Sequence, residues 1–125
     1  MMKYTLEKTE QYTLIQLHTE KIDAIKTPQL KTELTTLNAE GVKSFILDFT
    51  EVKYVDSSGL SAILLANRIC EGSGGILVVY GLQDGVKKLI TISQLDKVLN
   101  IFPTKEEAID AVFLHTIEVD LKGNN

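Results

Sequence analysis

Hydrophobic residues along the chain fall into short strand-like runs and longer runs with helical spacing. Residues 4–6 and 12–17 are rich in strand-forming side chains, and the polar stretch between them predicts an antiparallel pair. Residues 43–50 and 76–80 carry apolar side chains at consecutive positions, which is typical of strands covered on both faces. A short last strand is expected at residues 98–102.

Helical spacing is clearest in the segment after the first two strands. Thr27 is expected to cap this helix, and Pro28 suits the first turn, where its missing N–H leaves no hydrogen bond unmade. Leu30, Leu34 and Leu37 repeat at intervals of four and three residues and predict one buried stripe, and Gly41 is expected to end the helix.

Three more helices are expected, beginning near residues 57, 85 and 104, the last with Thr104 and Glu107 spaced as a capping box. Strands therefore alternate with helices after an initial β-pair. This order favours a single α/β domain over residues 1–121, with a mixed, mostly parallel sheet of about five strands and about four helices. Residues 122–125 are predicted to form a disordered tail.

The most informative stretch, Asp56-Ser57-Ser58-Gly59-Leu60, lies between an apolar strand and an apolar helix. This order places Ser57 at or next to the helix N-cap, where a hydroxyl can accept a backbone hydrogen bond. The start of a helix also accommodates an anion such as a phosphate, because its free N–H groups carry partial positive charge.

The simplest interpretation of Ser57 is a plain helix cap. Two features favour a functional role. The turn follows a strand at the edge where open α/β sheets usually place their sites, and Gly59 is expected to clear the approach of another protein to the serines. Phosphorylation there would add roughly −1.5 to −2 charge units beside Asp56 and leave the core intact.

Composition and charge limit the classes of function. The chain has 125 residues, 44% hydrophobic and 24% charged, and its net charge of −4 without a basic stripe argues against nucleic acid as a partner. The single cysteine, Cys70, excludes an intrachain disulfide and is expected in the core. No signal peptide or membrane-length apolar run is visible, so we expect a cytoplasmic protein without a membrane anchor.

Enzyme chemistry finds little support in the residues. The G-x-S-x-G spacing of a nucleophilic serine is absent, and neither His18 nor His115 has an evident carboxylate partner. Asp23 and Asp48 are isolated carboxylates that do not form a metal-binding group, and the glycine-bearing turns lack the phosphate-loop pattern. We therefore expect no catalytic residues, no metal and no cofactor.

The run Val55-Asp-Ser-Ser-Gly-Leu60 resembles the signature of anti-sigma factor antagonists, the single-domain members of the STAS family. The similarity extends over nearly the whole chain and implies the STAS fold. It further implies that the unmodified protein binds an anti-sigma factor, itself a serine kinase, and so frees a sigma factor. That kinase would phosphorylate Ser57 and break the complex, and a PP2C-type phosphatase would reset it.

By the same resemblance, the partner-binding positions are Asp23, Asp56, Ser57, Ser58 and Gly59. Ser58 stays open as a secondary acceptor. The alternative is a constitutive STAS scaffold or accessory subunit of a stress-sensing or lipid-transport complex, in which Ser57 only caps its helix. The oligomeric state is left open.

Overall fold

A computed structural model describes residues 2–123 of the chain as one α/β domain. Its strands are β1 (Tyr4–Lys8), β2 (Thr13–Leu17), β3 (Lys21–Ile22), β4 (Phe45–Asp48), β5 (Tyr54–Val55), β6 (Leu77–Tyr80) and β7 (Asn100–Phe102). Its helices are α1 (Thr27–Ala39), α2 (Ser57–Gly72), α3 (Asp84–Ile92) and α4 (Lys105–Gly123), with a single 3₁₀ turn at Leu95–Lys97.

Five strands form the main sheet in the order β1-β2-β4-β6-β7. Strand β1 is antiparallel to β2, and the other neighbouring pairs are parallel. All four residues of β4 and of β6 are buried, as expected of central strands covered on both faces. The predicted mixed sheet of about five strands with about four helices is confirmed.

The sheet separates two hydrophobic clusters. On one face Phe45 and Leu47 of β4 pack in the same cluster as the buried side chains of α1, α2 and α3. On the other face Ile46 packs with Ala108 and Val112 of α4. Successive residues of β4 thus alternate between the two layers, which places α2 and α4 on opposite sides of the sheet.

The two ends of α1 differ in how well the sequence predicts them. Gly41 follows the helix with φ of +109°, and the N–H of Val42 donates to the Leu37 carbonyl oxygen at 3.1 Å, as a glycine-terminated helix requires. The predicted cap at Thr27 is wrong. Lys26 occupies the cap position without a side-chain hydrogen bond, and Thr27 is the first helical residue, with its hydroxyl buried and unbonded within residues 2–123.

Two short strands were not predicted, because two residues are too few to show an alternating pattern. Strand β3 pairs in parallel with β5 to form a separate small sheet. At the last helix the N–H of Glu107 donates to Thr104 Oγ1 at 3.2 Å, as the capping box predicts. Helix α4 includes Lys122 and Gly123 of the predicted tail, and Asn124 and Asn125 lie outside the described residues.

Candidate functional site

The site is centred on the junction between β5 and α2. Asp56 is the N-cap of α2 in extended conformation, and its Oδ1 accepts a hydrogen bond from the N–H of Gly59 at 3.0 Å. Ser57 is the first residue of the helix, directly after the cap. The sequence predicted that it lies at the cap or next to it, and the structure places it next to the cap. The capping oxygen comes from the Asp56 carboxylate and not from the serine hydroxyl.

The same residue joins α2 to the loop before α1. Oδ2 of Asp56 accepts a hydrogen bond from the N–H of Ala24 at 3.2 Å, and the Asp56 N–H donates to the carbonyl oxygen of Ile22 at 3.2 Å. These two bonds connect segments more than thirty residues apart. The loop at residues 23–26 and the start of α2 therefore form one continuous surface.

Asp23 organises the loop that leads into α1. Its Oδ1 accepts hydrogen bonds from the N–H groups of Ile25 and Lys26, both at 3.1 Å. This arrangement is a side-chain-closed turn, which holds the backbone in place without secondary structure. Its result is that Ile25 points into solvent with 84% of its surface exposed.

The two serines of the junction differ in accessibility. Ser57 is exposed, whereas Ser58 is half-buried. The hydroxyl of Ser57 makes no hydrogen bond to any residue between 2 and 123, and the N–H groups of Ser57 and Ser58 are likewise free within this range. The structure thus presents one accessible hydroxyl beside two unbonded backbone donors.

Gly59 has a different role from the one the sequence suggested. It is buried, and a Cβ there would lie 2.6 Å from Cγ1 of Val55 and 2.7 Å from the carbonyl oxygen of Ile22. The missing side chain therefore allows α2 to pack closely against β3 and β5. Its contribution to a surface is indirect, because it sets the position of the serines.

The exposed apolar side chains beside this junction were missed by sequence reasoning. Ile25 lies in the loop at residues 23–26, and Tyr54, which is 52% exposed, lies in β5. The hydrogen bond from the Ala24 N–H to the Asp56 carboxylate connects this loop to the residue that follows β5. Ile22 and Ile25 are apolar residues only three positions apart in the sequence, but only Ile22 is buried. No pattern in so short a loop distinguishes the inward residue from the outward one.

His18 has a carboxylate partner, contrary to the sequence-based expectation. Its Nδ1 lies 2.5 Å from Oε2 of Glu51, a residue distant in sequence. The other ring nitrogen contacts Thr5 Oγ1 at 3.1 Å, and Nε2 of His115 contacts the Gly74 carbonyl oxygen at 3.2 Å. Among residues 2–123, neither ring is hydrogen-bonded to Ser57.

Both carboxylate oxygens of the buried Asp48 accept hydrogen bonds from other residues of the chain. Oδ1 accepts from the N–H and hydroxyl of Thr50 at 2.9 and 2.7 Å, and Oδ2 accepts from the Tyr80 hydroxyl at 2.8 Å. Burial, together with this bond, raises the pKa of the Tyr80 phenol. Over residues 2–123, no three His, Cys, Asp or Glu side chains come together in a group that could hold a metal ion.

Two further predictions concern Cys70 and membrane spans. Cys70 is fully buried, as expected of a core residue, and burial raises the pKa of its thiol to about 12. Among residues 2–123, no helix combines the length and the apolar character needed to cross a membrane.

Comparison with known proteins extends the description of the site. The family model described as "STAS domain" matches residues 3–108. The anti-sigma-B factor antagonist of Listeria monocytogenes is 28% identical over 105 residues, which cover 84% of this chain and 81% of that protein.

Solved structures show the same fold. An anti-sigma factor antagonist from Mycobacterium paratuberculosis superposes with a TM-score of 0.79 at 20% identity, covering 90% of this chain and 94% of that one. The unphosphorylated form of the anti-sigma factor antagonist SpoIIAA has a TM-score of 0.70 at 25% identity, with coverage of 88% and 97%. The phosphorylated form of SpoIIAA, from Bacillus, has a TM-score of 0.69 at 27% identity, covering 88% of this chain and 99% of that one. The fold, the junction at Asp56 and these matches together show that the chain belongs to the STAS domain family.

Proposed function

We propose that this chain is an anti-sigma factor antagonist controlled by phosphorylation of Ser57. Its unmodified form binds an anti-sigma factor that is also a serine kinase, and this binding frees a sigma factor. The kinase transfers phosphate to Ser57 and the complex dissociates, after which a PP2C-type phosphatase restores the unmodified form. The chain is the kinase's ligand and substrate and not itself an enzyme.

The observation that carries the proposal is that Asp56, and not Ser57, caps α2. Asp56 caps α2, so the Ser57 hydroxyl is exposed and has no structural hydrogen bond within residues 2–123. A serine needed as the cap would lose that role when modified. This serine can accept a phosphate while the helix keeps its cap.

The surface around Ser57 suits a protein partner. The loop at residues 23–26 and the start of α2 are joined through Asp56, and Ile25 and Tyr54 add exposed apolar area beside them. Apolar side chains surrounded by polar groups are the usual centre of a protein interface. Asp23 and Asp56 contribute by holding this surface in shape.

A phosphate on Ser57 would act on this surface through charge and bulk. The free N–H groups of Ser57 and Ser58 can donate hydrogen bonds to a phosphate oxygen, so the fold tolerates the phosphate. The same phosphate adds roughly −1.5 to −2 charge units next to Asp56, and this charge must lose water when a partner docks. Desolvation and repulsion together favour release.

The relatives support the proposal at the level of family. The Listeria protein is an anti-sigma-B factor antagonist, and SpoIIAA exists in unphosphorylated and phosphorylated forms. In the constitutive-scaffold alternative Ser57 merely caps the helix, and that role for Ser57 does not fit because the cap is Asp56.

Affinity capture from the source cells tests the proposal. Immobilised wild-type chain, Ser57→Ala, Ser57→Glu and the control Ser58→Ala would be exposed to lysate, and retained proteins would be assayed for serine kinase activity and sigma-factor binding. We expect the kinase on the wild-type, Ser57→Ala and Ser58→Ala columns and its loss from Ser57→Glu. Equal retention by Ser57→Glu and wild type would contradict the proposal.

A further inference from the structure

The second half of α4 carries large apolar side chains that are exposed to solvent. They recur at spacings of three and four residues and so form a continuous stripe along the helix. We call this the outer stripe; its members are Phe113, Leu114, Ile117 and Leu121, which are between 42% and 63% exposed.

The members of the outer stripe are not part of the hydrophobic cluster between α4 and the sheet. In that cluster Ala108 and Val112 are fully buried with strand residues such as Ile46, and Ile109 and Ala111 pack against it partly buried. Ile117 and Leu121 follow Val112 by five and nine residues, which corresponds to rotations of about 140° and 180° around the helix. The stripe therefore faces away from the sheet.

Acidic side chains border the outer stripe. Asp110, Glu118 and Asp120 are exposed, and each lies three or four residues from a member of the stripe, hence beside it on the helix surface. Residues 110–121 contain no lysine or arginine, and the basic residues nearby are Lys122, four residues after Glu118, and Lys43, which lines the same surface hollow as Asp120. The three carboxylates outnumber these two cations, so the surface is apolar along its centre and net negative along its edges, a combination typical of a binding site for a basic amphipathic segment.

We propose that the outer stripe docks a helix of a partner protein whose apolar residues recur at helical spacing and are flanked by Lys or Arg. Charge complementarity favours this occupant over the others. A second copy of the chain would bring two acidic borders together, and an anionic membrane surface would repel them.

This binding site is separate from the Ser57 surface. Helix α4 and helix α2 lie on opposite faces of the sheet, since their buried residues belong to different hydrophobic clusters. The outer stripe also lies beyond residues 3–108, the segment matched by the STAS model. The partner should bind both forms of the chain, modified or not, and the inference does not depend on the function proposed above.

A synthetic peptide of leucine and lysine, with leucines at helical spacing, serves as the probe. Its binding to the full chain would be measured by calorimetry and mapped by backbone amide chemical shifts. We expect shifts confined to the second half of α4. Ile117→Ser should weaken binding about tenfold, whereas Ile92→Ser, at a residue on α3 that is 69% exposed, should leave it unchanged.

Two control peptides and two further variants make the result decisive. A peptide of the same composition with scrambled leucines, and one with glutamate in place of lysine, should bind at least about tenfold more weakly. Leu121→Ser provides a second variant should Ile117→Ser fail to fold, as judged by circular dichroism. Ser57→Glu should bind the probe as wild type does.

Several results would overturn the inference. Equal binding of the scrambled or glutamate peptide would remove the basis for a basic amphipathic partner. Amide shifts located away from α4 would assign the probe to another surface. A dimer in sedimentation that dissociates in Ile117→Ser would mean that a second copy covers the stripe.

Discussion

The Asp56 side chain makes the hydrogen bonds that hold the junction together. One carboxylate oxygen caps α2 through Gly59 and the other binds the N–H of Ala24 in the loop before α1. A single residue thus sets the relative position of the two segments that we assign to partner binding. The neighbouring Ser57 is exposed, and its hydroxyl is not the capping group because Asp56 fills that role.

Substitution of Asp56 tests this role. Asp56→Ala should lower the free energy of unfolding by about 0.5–2 kcal/mol, because the cap is lost. Asp56→Asn keeps one acceptor oxygen for the Gly59 N–H but places an amide NH2 group where the Ala24 N–H needs an acceptor, so it should recover only part of the lost stability. Urea denaturation of both variants, beside Ser57→Ala as the control that leaves the cap intact, gives the comparison. A loss in Ser57→Ala as large as that in Asp56→Ala would contradict the assignment.

Tyr80 connects stability to alkaline pH. Burial and the hydrogen bond to Asp48 raise the pKa of its phenol in the folded chain above the unfolded value. Ionisation therefore favours the unfolded chain, so this contribution to stability is complete below about pH 10 and declines as the pH rises further.

Tyr80→Phe should make the decline in stability above about pH 10 shallower than in wild type. At neutral pH the same variant should be less stable by about 1–3 kcal/mol, because Asp48 loses a buried donor. Tyr54→Phe, at a half-exposed position, should stay within about 0.5 kcal/mol of wild type at neutral pH. Urea denaturation at a series of pH values measures both effects, and parallel declines in Tyr80→Phe and wild type would show that Tyr80 is not responsible.

At the scale of elements, Gly59 shows how closely α2 approaches the small β3–β5 sheet. A methyl group at this position would overlap Val55 and the carbonyl oxygen of Ile22. The start of α2, and with it Ser57, is therefore placed by direct contact with both short strands.

Gly59→Ala should destabilise the chain by about 1–3 kcal/mol, because the overlap forces α2 or the strands to shift. Gly72, at the other end of α2, is the matched control, since a Cβ added there would have no heavy atom of another part of the chain within 4 Å. Gly72→Ala should be neutral or more stable by up to about 1 kcal/mol. The thermal unfolding midpoints of both variants test this prediction, and equal midpoints for Gly59→Ala and Gly72→Ala would contradict the packing argument.

The sequence predicted the large elements well, and the reasons are physical. Central strands such as residues 76–80 are uninterrupted apolar runs, and α1 shows its buried stripe and its glycine stop. The two-residue strands β3 and β5 have no such signal, since their pairing depends on a distant partner.

The candidate site was predicted in position but not in detail. The polar turn before an apolar helix located Ser57, whereas the choice of Asp56 as the cap and the exposure of Ile25 depend on a contact between distant segments. The Glu51 partner of His18 was missed for the same reason.

The whole molecule presents two separate surfaces on opposite sides of its sheet. One surrounds Ser57 at the start of α2, and the other is the outer stripe of α4. A phosphate on Ser57 changes charge only at the first, so modification should alter one interaction and leave the other intact. A regulator of this design could stay attached to one partner while it exchanges another.

Ser57 is the proposed switch of this molecule, and it is tested by the mass of the protein purified from its own cells, with peptide mapping across residues 55–68. We predict a phosphate on Ser57 in part of the molecules, absent in Ser57→Ala, whose fraction changes between growth, starvation and stress. A chain that carries no phosphate under any of these conditions, or carries it only on Ser58, would contradict the assignment of Ser57 as the switch.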